Sequence, residues 1–177
     1  FTGSGQWTLT RGTAVILAGA EGRRTEAEGV ENGFTPAGAP LPSTTTGGTE
    51  TIGSVFARAS LVPASRLTMV VGVRGDFWRS TPLLPSSPEH DIDFISPRAS
   101  VAWQATPSLS LHGSAYRAYR TPTLNELHRS FRVGDTFTAG NPLLEPERLT
   151  GAEAGLLVSG RRYQARAPLP LTPLYHV

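Results

Sequence analysis

Apolar and polar residues alternate one by one along much of this chain, which is the period of a strand with a single greasy face. Between Phe94 and Ala105, Ile95, Pro97, Ala99, Val101, Trp103 and Ala105 share one face, while Ser96, Arg98, Ser100 and Gln104 share the other. From Arg66 to Trp78, Leu67, Met69, Val71, Val73 and Phe77 oppose Arg66, Thr68, Arg74 and Asp76. Leu109, Leu111, Gly113 and Ala115 oppose Ser110, His112, Ser114 and Tyr116. Further on, Ala152, Ala154, Leu156 and Val158 oppose Glu147, Gly151, Glu153 and Gly155. Residues 50–62 set Val55, Ala57, Ala59 and Leu61 against Ser54, Arg58 and Ser60, with Phe56 and Val62 interrupting the polar side. Residues 6–20 read as one more strand by their Trp, Thr, Val and Ile, although Ala14–Ala20 is apolar on both faces.

The connections between these strands alternate in length. Pro63-Ala64-Ser65 and Thr106-Pro107-Ser108 are tight, whereas residues 21–49, 79–92 and 120–147 are long. An up-and-down meander with tight turns at one end and elaborated loops at the other produces that alternation. The fold expected is therefore all-β: an antiparallel up-and-down meander, about six strands of a larger transmembrane β-barrel. Trp7 and Trp103 fall at the tight-turn end, and Phe77, Trp78, Tyr116 and Tyr119 near the other, as two interfacial aromatic belts would. Strands of about 11–14 residues would be about 36–46 Å long. Tilted, they outrun an apolar band of about 25 Å, so their outer ends should project.

Composition agrees with strands and turns. The 19 Gly and 15 Pro are spread along the chain, and only 17% of residues are charged, which suits helices poorly. A net charge of +2, carried by arginine without a basic run, gives no footprint for nucleic acid. Cysteine is absent, which excludes a disulfide scaffold and thiolate metal sites. No stretch approaches the roughly 18 apolar residues of a membrane helix, a test that barrel strands escape. Residues 1–165 are expected to form the partial barrel. The tail 166–177, with Pro168, Pro170 and Pro173, is expected to be irregular and to reflect a truncated or frame-shifted end.

Residues 93–158 are the least generic. They contain the strand opening Ser96-Pro97-Arg98, a tight turn before Leu109-Ser110-Leu111, and the run Tyr119-Arg120-Thr121-Pro122-Thr123-Leu124-Asn125-Glu126-Leu127. Asn141-Pro142-Leu143-Leu144-Glu145-Pro146-Glu147 then leads into a strand bearing Leu149, Glu153 and Gly155. Thr121-Pro122 should end its strand, and Thr123 should cap one helical turn with Glu126 as its capping-box partner. In order and spacing these motifs resemble the barrel of a TonB-dependent outer-membrane receptor. The resemblance implies a barrel of about 22 strands around an N-terminal plug, in the bacterial outer membrane. It implies energised uptake of a ferric siderophore, cobalamin or a carbohydrate. The partners implied are outer-membrane lipid and lipopolysaccharide, the ligand, and the TonB complex, the last through a plug domain absent from this chain.

No catalytic constellation emerges, and neither a cofactor nor a metal site is expected, since His90, His112, His128 and His176 lack ligand spacing. His112 is expected to face the lumen. Glu89, His90, Asp91 and Asp93 read as a solvated loop cluster, and Glu145, Glu147 and Glu153 as rim and lumen residues paired with arginine. Gly47-Gly48 lacks the strand-before, helix-after context of a phosphate loop. Arg117, Arg120, Arg129 and Arg132 lie in or just before the third long loop and are the candidate contacts for an anionic ligand. They could instead bind lipopolysaccharide phosphate or pair with Asp135 and the loop glutamates. A passive porin-like barrel and a soluble β-sandwich binding module remain the alternative readings.

Overall fold

The computed structural model describes all residues except 36–37, 134–135, 161–162 and 177, and the side chains of 131–133, 136–137 and 170–176 also lie outside its description. Its strands are β1 (Thr2–Arg11), β2 (Ala14–Glu31), β3 (Thr44–Ala64), β4 (Leu67–Pro82), β5 (His90–Thr106) and β6 (Leu109–Arg120). A short helix α1 (Leu124–His128) and a small hairpin of β7 (Phe131–Val133) and β8 (Thr136–Thr138) follow, before β9 (Glu147–Ser159) and β10 (Gln164–His176). Eight strands form one antiparallel sheet in the order β1-β2-β3-β4-β5-β6-β9-β10, with β1 and β10 as its edges.

Eight strands replace the six expected, for two physical reasons. Residues 6–20 are a hairpin rather than one strand: Gly12 takes φ +59° between Arg11 and Ala14, which pair. A glycine with positive φ at the first of two loop residues turns a hairpin with the correct twist. The tail is a strand despite its prolines, pairing with β9 from Gln164↔Ser159 onward. Along an edge strand alternate N–H groups face away from the sheet, so Pro168 and Pro170, two apart, can share the side that needs no donor. Pro173, of the other parity, falls within the register shift between Leu171 and Leu174. The strands are also longer than expected. The stretch 21–49 is mostly ladder, with Gly22–Glu31 pairing Thr44–Gly53, and the loop proper is only 32–43.

The alternation of connections holds throughout. The links at 12–13, 65–66, 107–108 and 160–163 lie at one end of the sheet, and those at 32–43, 83–89 and 121–146 at the other. Each tight turn reaches further along the register than the one before: Arg11 and Ala14 lie level with Leu61 and Met69, whose hairpin continues to Ala64↔Leu67. Such stagger is the shear of a tilted barrel wall.

Side-chain burial is inverted relative to a water-soluble sheet. Val55, Val71, Val73, Phe77, Ile95, Val101 and Trp103 share one face and are exposed, while Glu50, Ser54, Asp76 and Ser80 on the other face are buried. The only buried hydrophobic residues among those described are Trp78, Leu124 and Leu127. The ten residue steps from Leu67 to Phe77 along β4 span about 33 Å. At a tilt near 40° that is about 25 Å of height, the thickness of an outer-membrane apolar band. Trp7 and Trp103 are exposed at the lower edge and Phe77 at the upper. Trp78 does not belong to the upper belt: one residue on from Phe77, it points to the inner face and is fully buried. Tyr116 also faces inward, its ring lying where a Cβ on Gly151 would be.

Candidate functional site

The inner face of the sheet carries a continuous band of charge near the upper edge of the apolar zone. Cross-strand register sets it up, because Glu21↔Ser54↔Asp76 and Arg23↔Ile52↔Trp78 run across β2, β3 and β4. Arg74, two residues before Asp76 on the same face, donates from Nε to Asp76 Oδ1 at 2.8 Å and from Nη2 to Ser54 Oγ at 2.7 Å, and also binds Glu21. Ser54 Oγ in turn donates to Asp76 Oδ1 at 2.6 Å. Higher on the same face, Glu50 accepts from Arg23 Nη2 at 3.1 Å and from Trp78 Nε1 at 3.2 Å. Buried carboxylates persist only when paired and hydrogen-bonded, and both Glu50 and Asp76 meet that condition. Sequence reading placed Arg74 and Asp76 on the polar face but not this network, since partners brought together by three strands are separated by up to 53 residues.

Above the network, the third long loop folds back over the wall. Thr123 caps α1, accepting from the Glu126 N–H, while Glu126 reaches back to the Thr123 N–H at 2.8 Å, the capping box expected from the sequence. Leu124 and Leu127 are the buried residues of α1, which packs on β3. The ring of His90 lies 5.1 Å from that of Trp78, and its Nε2 is 2.8 Å from the Pro142 carbonyl, fastening the return limb of the loop. His90, Asp91 and Asp93 are thus members of β5 rather than a loop cluster, and Asp91 is paired with Arg79. Burial, with the nearby charge of His90, pushes the His128 imidazole below its ordinary pKa. Ser80 Oγ and His128 Nε2 are buried at this level and make no hydrogen bond among the described residues.

The four arginines singled out from the sequence are not gathered into one cluster. Arg120, at the top of β6, is clamped by Glu147 (2.9 Å) and Glu126 (3.2 Å). These bonds raise the guanidinium pKa and, on Glu147, lower the carboxyl. The Glu126 carboxyl is lowered first by the Thr123 N–H and then by the Thr123 hydroxyl and Arg120. Arg129 stands 3.8 Å from Glu31, at the far side of α1. Arg117 shares the outward face of β6 with Leu111 and Ala115 and is exposed. The Arg132 side chain lies outside the described residues, as does Asp135.

A cavity of about 610 Å³ opens on the inner face, bounded by Glu21, Arg23, Arg74, Asp76, Phe94 and Tyr119 among others. It exists because β5 and β6 part company: their pairing ends at Arg98↔Tyr116, next to Pro97, which has no N–H to offer. Above that point β5 stays with β4 up to His90, and β6 stays with β9 up to Glu147. Tyr119 lines the cleft, its ring 4.7 Å from that of Phe94. The volume is in the range of small-molecule sites, and its lining offers hydrogen-bond donors and acceptors. Among the described residues, no group of three or more metal-ligating side chains occurs.

The family model described as "TonB dependent receptor-like, beta-barrel" matches residues 1–167. Solved structures share the fold, two of them as follows. The copper transporter OprC aligns with a TM-score of 0.77 and 17% identity over 94% of this chain. The ferric-catecholate import receptor Fiu from E. coli K12 aligns with a TM-score of 0.64 and 12% identity over 91% of it. The chain spans 28% and 29% of the lengths of those two proteins. No curated protein matches the sequence.

Proposed function

This chain belongs to the TonB-dependent receptors of the bacterial outer membrane, and from that premise we propose that it forms part of the wall of a receptor for energised uptake of a small metal chelate. The observation that carries the reading is the inversion of polarity. Greasy residues look outward across about 25 Å, buried charge looks inward, and every long connection rises at one rim. A soluble sandwich would bury the outward face, and nothing among the described residues does so.

In this reading the inner network of Arg74, Asp76, Glu21 and Glu50 faces the receptor's plug domain, which couples to TonB. The α1 loop shapes the outer mouth. Arg120 and Arg129 stand at that mouth, so an anionic ligand reaches them by exchanging with Glu126, Glu147 or Glu31. Arg117 and Arg132 are not assigned to the ligand path. The chemical class of ligand rests on the arginines and on the metal cargoes that the names of the two structural neighbours record.

The test uses the whole receptor carrying this sequence, expressed in a strain lacking its own iron receptors, with uptake of labelled ferric chelates and of copper followed in time. Uptake that stops when TonB is deleted supports the proposal. Solute flux that continues without TonB would show a passive pore instead.

A further inference from the structure

One rung of the inner face crosses six strands: Leu17, Arg58, Gly72, Arg98, Tyr116 and Gly151 lie side by side on β2, β3, β4, β5, β6 and β9. Its height is the middle of the apolar zone, because Gly72 is five residues from both Leu67 and Phe77. The two arginines on this rung are exposed. Neither Arg58 nor Arg98 has an ion pair or hydrogen bond among the described residues. The nearest carboxylates of this face are engaged elsewhere: Glu21 and Asp76 with Arg74, Glu50 with Arg23, and Glu153 with the Tyr116 hydroxyl at 3.4 Å.

The glycine between them makes the pair a unit. Their Cα atoms are two strands apart, about 10 Å, and no side chain rises from the position between. Arg98 leans into that gap, its Cγ and Cδ lying 3.3 and 3.6 Å from where a Cβ on Gly72 would be. It leans there although a cavity of about 450 Å³, with Tyr116 and Glu153 on its boundary, is open on its other side. One guanidinium brought toward another is repelled unless an anion stands between them, and two forks of donors suit the paired oxygens of carboxylate or phosphate groups. Ser60 and Ser100, both level with Val70 on the rung below, add hydroxyl donors on either side of the gap. Unpaired charge at this depth, turned inward, marks the route of a solute or ion.

We propose that Arg58 and Arg98 form a binding site, on the inner wall at mid-height, for a small and multiply charged oxyanion of the carboxylate or phosphate class. The inference rests on reading this face as the lumen of a receptor, and it narrows the imported solute to one that carries such groups.

The experiment takes the whole receptor in detergent and titrates it with inorganic pyrophosphate at fixed ionic strength, followed by calorimetry and by broadening of the pyrophosphate phosphorus resonance. Trimethyl phosphate, which carries no charge, is the comparison probe. Unaltered receptor should bind pyrophosphate saturably and ignore the ester. The Arg58→Gln/Arg98→Gln receptor should lose roughly ten-fold in affinity for each arginine removed. Arg58→Lys/Arg98→Lys should recover part of the loss, and Arg117→Gln, on the opposite face of the wall, should bind as the parent does. Absence of saturable binding to the unaltered receptor would overturn the proposal, and that arm needs no variant to fold. A carboxylate of the receptor's own plug already seated between the two arginines would give that result and overturns it equally. Undiminished binding in a glutamine double variant that keeps its heat-modifiable mobility would overturn it too. Uptake measured in parallel separates the two readings. Flux that ignores TonB would sink the transport reading with pyrophosphate binding intact, whereas TonB-dependent uptake by a receptor that takes no pyrophosphate would sink only this one.

Discussion

Replacing Leu127 with alanine should release the outer loop without unfolding the wall. Leu127 is 1% exposed and, with Leu124, holds α1 on β3. The helix has only five residues, so its intrinsic stability is negligible and docking alone maintains it. Truncation removes the transfer energy of the isobutyl group and leaves a partly collapsed gap, together about 3 kcal/mol. Since about 1.4 kcal/mol is a factor of ten, the undocked population should rise roughly a hundred-fold. Hydrogen exchange on the whole receptor reads this directly: the Leu127 and Arg129 amides, which bond to Thr123 and Asn125 carbonyls, should exchange roughly a hundred-fold faster. Amides of β3 and β4 below Trp78 should keep their protection. Unchanged exchange in 124–129, or acceleration spread equally down the strands, would refute the claim that these two leucines are what seats the loop.

Val71→Arg puts a charge at mid-height on the outward face and should cost about 2–4 kcal/mol, abolishing heat-modifiable folded barrel in membrane extracts. Val70→Arg, one residue away and facing the lumen beside Ser60 and Ser100, should leave it intact. Gly47→Ala should destabilise the upper β2–β3 ladder by about 3 kcal/mol or more, because the added Cβ would lie 2.1 Å from the Ala27 carbonyl oxygen at a backbone φ of +150°; a lowered Tm with protection lost around Glu28 and Gly47 is the readout. His128, held below its ordinary pKa by burial, favours the neutral imidazole when docked. The undocked loop therefore binds more protons below about pH 6.5, and docking weakens as pH falls through that range. His128→Leu should flatten the pH dependence of hydrogen exchange in residues 124–129, and an unaltered profile would count against the mechanism.

Much of the barrel wall was legible because membrane strands obey a period of two, and β3, β4, β5, β6 and β9 each announce it in their outward residues. Where both faces are apolar, as in Ala14–Ala20, alternation is silent, and the hairpin was signalled only by Gly12. Above the membrane the rule lapses, since both faces of the ladder can be polar, and so Arg23–Glu31 and Thr44–Thr49 read as loop. The prolines of β10 misled because their cost depends on being at an edge, which no local pattern reveals. The capping box at Thr123 and Glu126 was readable, being purely local. The Glu21–Arg74–Asp76–Ser54 network and the separation of Arg117 from Arg120 were not, because each depends on which strand lies beside which and on the parity of a single residue.

The unequal reach of the strands has a mechanical outcome. Only about the lower half of the 21-residue β3 is gripped by lipid, and the remainder rises into water as a free-standing collar. Hydrogen bonds in the collar can open one rung at a time from the rim downward, since water is there to replace them. Those in the hydrocarbon zone have no such substitute and stay shut. The upper wall can thus rearrange rung by rung while the wall below it stays closed.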